Sequence, residues 1–356
     1  MTEHEPDSPA QILCCELKME PFSDRPKSRR VAWFRRHPRW TGVGLSVLLL
    51  VAVCAGTFLW IVLPFDSHHV AETTAMPVAY DEDRFFVEPV TAKGARLRLL
   101  TDTGGGLFLT AAAVKRCGLA TSWSIGRGTV VRLEPLRPDA WIPEPVGSAS
   151  WIPVWDQEGD GMLGQRWFAG GVWTFDYPGK TLLLSSSPFR ATPQQTAHRV
   201  PLGFPTFCGL RSGNHPRFTV TIDGLAVESL FDTGATVRLT AEALKSIGDS
   251  RPRERATSFA AASLFDRWHK DHPNWRVIEN AEENTQLAII EVPRIQVAGF
   301  EVGPAWFTRR PDSAHQWMST FMDRPIVASI GGSVLRNFRV TVDYPGAVAH
   351  FERPTK

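Results

Sequence analysis

Two short stretches carry residue types that could do acid–base chemistry, and they are copies of each other. Leu230-Phe231-Asp232-Thr233-Gly234-Ala235 sets a carboxylate between an apolar run and a turn of small residues, and Leu99-Leu100-Thr101-Asp102-Thr103-Gly104-Gly105 repeats the pattern 130 positions earlier. Sliding 102–118 against 232–248 gives 9 identities in 17 positions, including Leu109/Leu239, Thr110/Thr240, Ala113/Ala243, Lys115/Lys245 and Gly118/Gly248. A second block repeats at an offset of 167: Asp176-Tyr177-Pro178-Gly179 falls on Asp343-Tyr344-Pro345-Gly346, and Leu163-Gly164 on Ile330-Gly331. The chain therefore holds two copies of one unit, each supplying one carboxylate. Two carboxylates a few ångströms apart resist joint ionisation, so such a pair keeps one proton over a broad pH range and titrates as a unit. One member can then take a proton while the other gives one.

These residues resemble the aspartic protease clan, in which each lobe contributes a hydrophobic-hydrophobic-Asp-Thr-Gly loop and, later, a hydrophobic-hydrophobic-Gly segment. The resemblance runs from the mid-80s to the C-terminus. It implies an all-β, bilobal acid-protease fold, with two retropepsin-like β-barrel lobes joined in one chain in the pepsin-like arrangement. It also implies an aspartic endopeptidase that hydrolyses an extended polypeptide with water activated between Asp102 and Asp232. Thr103 and Thr233 would brace the two loops across the lobe interface, as the family's threonines do. Gly104 and Gly234 would let the two backbones approach without a Cβ between them. Ala235 fits the family's next position, where the first copy has Gly105 instead of Ala or Ser. No cofactor and no metal are implied, and with both Asp-Thr-Gly copies in one chain the catalytic unit is expected to be a monomer. Motifs do not report carboxylate spacing, so a membrane-tethered, non-catalytic peptide-binding or sensing module of the same fold is the alternative.

A duller reading makes each Asp an ordinary turn residue. The whole motif recurring in register weighs against it for Asp102 and Asp232, whereas Asp160, Asp176 and Asp343 are expected to serve turns. His269 and His272 have no matching third ligand and read as a solvated helix end, not a metal site. No Gly-x-Ser-x-Gly elbow is present.

The chain has 356 residues, 43% of them hydrophobic, enough to bury a sizeable core. Its net charge of +2, with basic residues gathered near the N-terminus, gives no nucleic-acid footprint. Thr41 to Leu63 is uncharged over 23 residues and reads as a transmembrane helix. Arg25, Lys27, Arg29, Arg30, Arg35, Arg36 and Arg39 precede it, while Asp66, Glu72, Asp81 and Glu82 follow. By the positive-inside rule the N-terminus stays cytoplasmic and the catalytic part is exported; a cleaved signal peptide is the competing reading. The expected organisation is a cytoplasmic tail at 1–40, the membrane helix at 41–63, a juxtamembrane spacer at 64–84, an N-terminal lobe at 85–184, an interlobe linker at 185–200 and a C-terminal lobe at 201–356. An oxidising compartment would permit a bridge between Cys117 and Cys208, but nothing in their spacing requires one, and two separate thiols are the default.

The elements that must position the two carboxylates can also be read. Phe85 to Leu100 reads as strand, turn at Ala92-Lys93-Gly94, strand. Phe218 to Ile222 alternates, Asp223-Gly224 signals a hairpin turn, and Leu225 to Phe231 leads into the second motif. Short helices capped by Thr110 and Thr240 and closed by Gly118 and Gly248 should follow the two loops. Ser124 to Pro145 offers a hairpin that could act as a flap, without the tyrosine typical of pepsins. The second lobe carries 37 extra residues between Gly248 and Ile330. Much of this surplus is expected at Ser250 to Asn284, where Ala261, Leu264, Phe265 and Trp268 recur at helical spacing.

Overall fold

A computed structural model describes residues 73–124, 126–133, 135–145, 150–190 and 197–354. The expected tail and the membrane helix at 41–63 lie outside these residues. Among the described residues no helix is long and apolar enough to cross a membrane.

The protein is mostly β. In the first half, β1 (Thr74–Ala75), β2 (Val78–Asp81), β3 (Arg84–Val87) and β4 (Leu99–Thr101) lead to the first motif. They are followed by β5 (Phe108–Thr110), α1 (Ala111–Cys117), β6 (Thr121–Ser124), β7 (Gly128–Val131), β8 (Ile152–Trp155), β9 (Gly161–Leu163), α2 (Gln165–Phe168), β10 (Val172–Asp176) and β11 (Thr181–Ser185). The second half starts with β12 (Ala197–Pro201), the small hairpin β13 (Thr206–Phe207) and β14 (Leu210–Arg211), then β15 (Arg217–Ile222) and β16 (Leu225–Phe231), which leads to the second motif. After it come β17 (Thr236–Arg238), α3 (Ala241–Ile247), β18 (Glu254–Ala256), β19 (Ser258–Ala261), α4 (Ala262–Asp271), β20 (Val277–Ile278), β21 (Ile289–Val292), β22 (Ile295–Val297) and β23 (Phe300–Val302). The chain closes with β24 (Ala305–Arg310), α5 (Asp312–Ser319), β25 (Ala328–Ile330), α6 (Gly332–Leu335), β26 (Arg339–Asp343) and β27 (Val348–Glu352).

Each half builds one large sheet, eight strands in the order β2-β3-β4-β9-β5-β8-β7-β6 and nine in the order β20-β21-β24-β19-β25-β16-β15-β22-β23. A six-stranded sheet, β1-β11-β10-β26-β27-β12, joins the halves. Its centre is the contact between repeat mates: β10 and β26 pair antiparallel with Thr174 opposite Thr341, and their hydroxyls lie 2.9 Å apart. The aromatic core residues Phe85, Trp173, Phe175, Phe218, Phe231 and Tyr344 are all at most 1% exposed.

Four expectations need correction. Residues 74–81 are not spacer, because β1 pairs with β11 and β2 with β3. The end of the expected linker is β12, which pairs with β27, so the described residues between the halves run only from 186 to 190, and 191–196 lie outside the description. The flap-like hairpin is β6–β7 and begins at Thr121, ahead of the expected Ser124. Cys117 and Cys208, by contrast, are the separate thiols expected, one buried and one exposed.

The fourth correction concerns the surplus. Both helices expected after the motifs form, with Thr110 and Thr240 accepting N-cap bonds and Gly118 and Gly248 at φ of 63° and 77°. Yet α3 does not occupy the place of α1. In the first sheet β5 pairs with β9 through Phe108 and Met162, while in the second β19 pairs with β25 through Phe259 and Ser329. Phe108 thus corresponds to Phe259, at an offset of 151 in place of 130, so β17, α3 and β18 belong to an insertion of 21 residues directly after the second motif. The remaining 16 extra residues fall beyond β19, and α4, with Leu264, Phe265 and Trp268 buried, stands where α1 stands in the first half.

Candidate active site

Both loops are placed by the same local device. β4 runs parallel to β9 and β16 parallel to β25, so that the Asp102 amide donates to Leu163 O and the Asp232 amide to Ile330 O, each at 3.0 Å. The glycine after each of these residues is required by contact: a Cβ on Gly164 would lie 2.0 Å from Gly106 O, and one on Gly331 2.0 Å from Thr257 O. The second repeat block therefore acts as the shelf under each motif.

The loops are then braced against each other. The Thr103 amide donates to Thr233 Oγ1 and the Thr233 amide to Thr103 Oγ1, both at 3.1 Å. Thr103 Oγ1 donates onward to Phe231 O and Thr233 Oγ1 to Thr101 O. Both threonines are fully buried, so four backbone groups that would otherwise be orphaned are satisfied across the junction.

This brace brings Asp102 and Asp232 together. Each carboxyl group lies against the opposite loop, at 9% and 7% exposure. Gly104 and Gly234 donate to Asp102 Oδ1 and Asp232 Oδ1 at 2.9 and 3.2 Å. A Cβ on Gly234 would sit 2.2 Å from Asp102 Cγ, and one on Gly104 3.0 Å from Asp232 Cγ. Ala235, 2% exposed, packs below, its carbonyl accepting from the Thr257 amide. Gly105 stands where Ala or Ser was expected for a visible reason: a Cβ there would lie 2.4 Å from Asp102 Oδ2 and 2.5 Å from Met162 Sδ. In the second copy the partner at that register is Ser329, which leaves room for Ala235.

Burial raises both carboxyl pKa values. For Asp232 the charge of Asp102 and their shared hydrogen bond add to burial and carry it well above the usual carboxylate range, with Gly234 and Ser329 pulling the other way. For Asp102 burial is opposed by the hydrogen bonds from Asp232 and from the amides of Gly104 and Gly105. A pair in this state holds one proton and can both accept and donate.

Gly234 and Met162, which flank Asp102, also line a cleft of about 640 Å³. Phe86, Leu100 and Phe108 form its apolar wall on one half, with Thr236, Glu254 and Phe259 from the other. Trp155, 45% exposed, stacks on Phe108 with centroids 4.5 Å apart and extends that wall. No described residue of the β6–β7 hairpin lines this cleft. Asp176 and Asp343 do not join the site. They accept from the Gly179 and Gly346 amides at 2.8 and 2.7 Å, as turn residues do. Asp160 is engaged with Arg116 and the Arg98 amide. Ser329 and Trp155 were not read from the sequence. The only signal for Ser329 was its place beside Ile330-Gly331, where the first copy has Met162.

No family model matches the sequence, and no curated protein does. Among solved structures the chain is similar to an aspartic proteinase from Irpex lacteus, at 11% identity and a TM-score of 0.46, over 80% of this chain and 98% of that one.

Proposed function

We propose that this protein is an aspartic endopeptidase with Asp102 and Asp232 as its catalytic pair. The observation that supports the reading most is that two buried carboxyl groups, one from each repeat, are each set against the other's Asp-Thr-Gly loop beside a cleft lined by both halves. In this reading the ionised carboxylate takes a proton from a water molecule as its oxygen attacks the peptide carbonyl carbon. The protonated partner donates to the carbonyl oxygen, giving a tetrahedral diol. Collapse of the diol breaks the C–N bond, with a proton passing to the leaving amine. The apolar wall of Phe86, Leu100, Phe108 and Met162 suits an extended polypeptide with large apolar side chains near the scissile bond. The full-length protein is expected to cut an unfolded protein at mildly acidic pH and to be stopped by a pepstatin-type inhibitor. Retention of the polypeptide without cleavage would replace this reading with a binding module.

The same reading tethers the catalytic part outside the cytoplasm through residues 41–63, supported by the arginine cluster before Thr41 and its absence just after Leu63. Protease added to the cytoplasmic face should then spare residues 65–356 and digest the N-terminal tail. Digestion of the catalytic part from that face would reverse the orientation.

A further inference from the structure

The insertion that follows the second motif encloses a second cavity, of about 360 Å³, away from the cleft. Its floor is apolar, with Val237, Leu239 and Ile289 at most 3% exposed and Trp306 beside them. Two of its arginines are internally committed. Arg255 donates to Pro252 O, Arg251 O and Asp249, and Arg251 reaches Glu82 and Asp83 at 2.7 Å. The hydroxyls of Thr257 and Ser333 on the wall are engaged too, with Thr308 and Ser258. Two exposed arginines remain: Arg276, which donates to Ser246 O and lies over the Trp306 ring at 5.5 Å, and Arg336, which meets Asp83 at 3.5 Å. Each keeps N–H groups to offer.

We propose that this cavity binds a small apolar molecule with a single carboxylate head, the tail on the Val237–Leu239–Ile289 floor and the head between Arg276 and Arg336. A guanidinium fork matches a carboxylate in shape and charge. Glu291, the acid of the lining that no described arginine engages, offsets part of the positive charge and favours a monoanion over a phosphate. The committed hydroxyls leave little for a sugar to bond. Free fatty acids and peptide C-termini share this chemistry. The site is independent of the proposed hydrolysis, although Thr257 O is the atom against which Gly331 packs below Asp232.

Calorimetric titration of the full-length protein with octanoate and with N-acetyl-Phe-Leu, and with octanol and the amidated dipeptide as uncharged controls, tests the proposal. At least one carboxylate should bind one to one, at least about tenfold more tightly than its uncharged control. The Arg276→Gln/Arg336→Gln double variant, both positions being exposed, should fold normally and lose about tenfold or more in affinity. Asp102→Asn should bind as the parent does. Octanoate binding points to an acyl chain and dipeptide binding to a peptide terminus, and either supports the site. No binding by both carboxylates, full binding by the double variant, or loss of binding in Asp102→Asn would overturn it.

Discussion

Replacing either Asp102 or Asp232 with Asn is expected to lower turnover on the order of 10²- to 10⁴-fold while substrate affinity changes little. Asn keeps the volume and the acceptor oxygen for the Gly104 or Gly234 amide. It cannot share a proton, so the pair loses both the base that deprotonates water and the acid that polarises the carbonyl. The effect falls on the chemical step because the apolar wall of the cleft is untouched. Asp343→Asn supplies the contrast. Its side chain is 4% exposed, but it serves the Gly346 amide, a bond that Asn can still accept, so turnover should stay near that of the parent. Steady-state kinetics on one peptide, with folding checked by circular dichroism, separates the cases. Near-normal turnover in Asp102→Asn or Asp232→Asn would remove the assignment.

Thr233→Val should destabilise the protein by about 2–4 kcal/mol, since it strands two buried groups, the Thr103 amide and Thr101 O, in a water-free junction. Each would lose its partner without gaining water. Thr233→Ser, which keeps the hydroxyl, should recover most of that loss. Urea unfolding gives the measurement, and a Thr233→Val midpoint matching the parent would mean that the brace contributes nothing to holding the loops together.

The features legible in the sequence are those fixed by neighbours along the chain. Asp223-Gly224 turns β15 into β16 with φ of 53° and 71°, the pattern such dipeptides favour. The Thr110 and Thr240 caps and the Gly118 and Gly248 stops are equally local. Asp102, Thr103 and Gly104, with Asp232, Thr233 and Gly234, stood out because their spacing repeats, and the structure places them on one another. What escaped was set by pairing across long separations. The likeness of 232–248 to 102–118 correctly marks a helix, but it does not say which strand enters the sheet beside β25. β19 takes that place, and β17, α3 and β18 are left as an insertion. The six-stranded sheet joining the halves depends on β10 meeting β26 across 167 residues, and no local signal marks that contact. Ser329 was hidden for the same reason: a serine in an apolar strand acquires meaning only when β25 lies beside the Asp232 loop.

The central claim is that Asp102 and Asp232 hold one proton between them. The direct measurement is a pH titration of their carboxyl carbons by NMR after selective ¹³C labelling of aspartate, with Asp102→Asn and Asp232→Asn used for assignment. The account predicts two resonances that shift together in two steps, one of them well above the ordinary aspartate value of about 3.9. In either Asn variant the remaining carboxyl should lose the two-step behaviour. Two independent single-step titrations, both near the ordinary value, would contradict it.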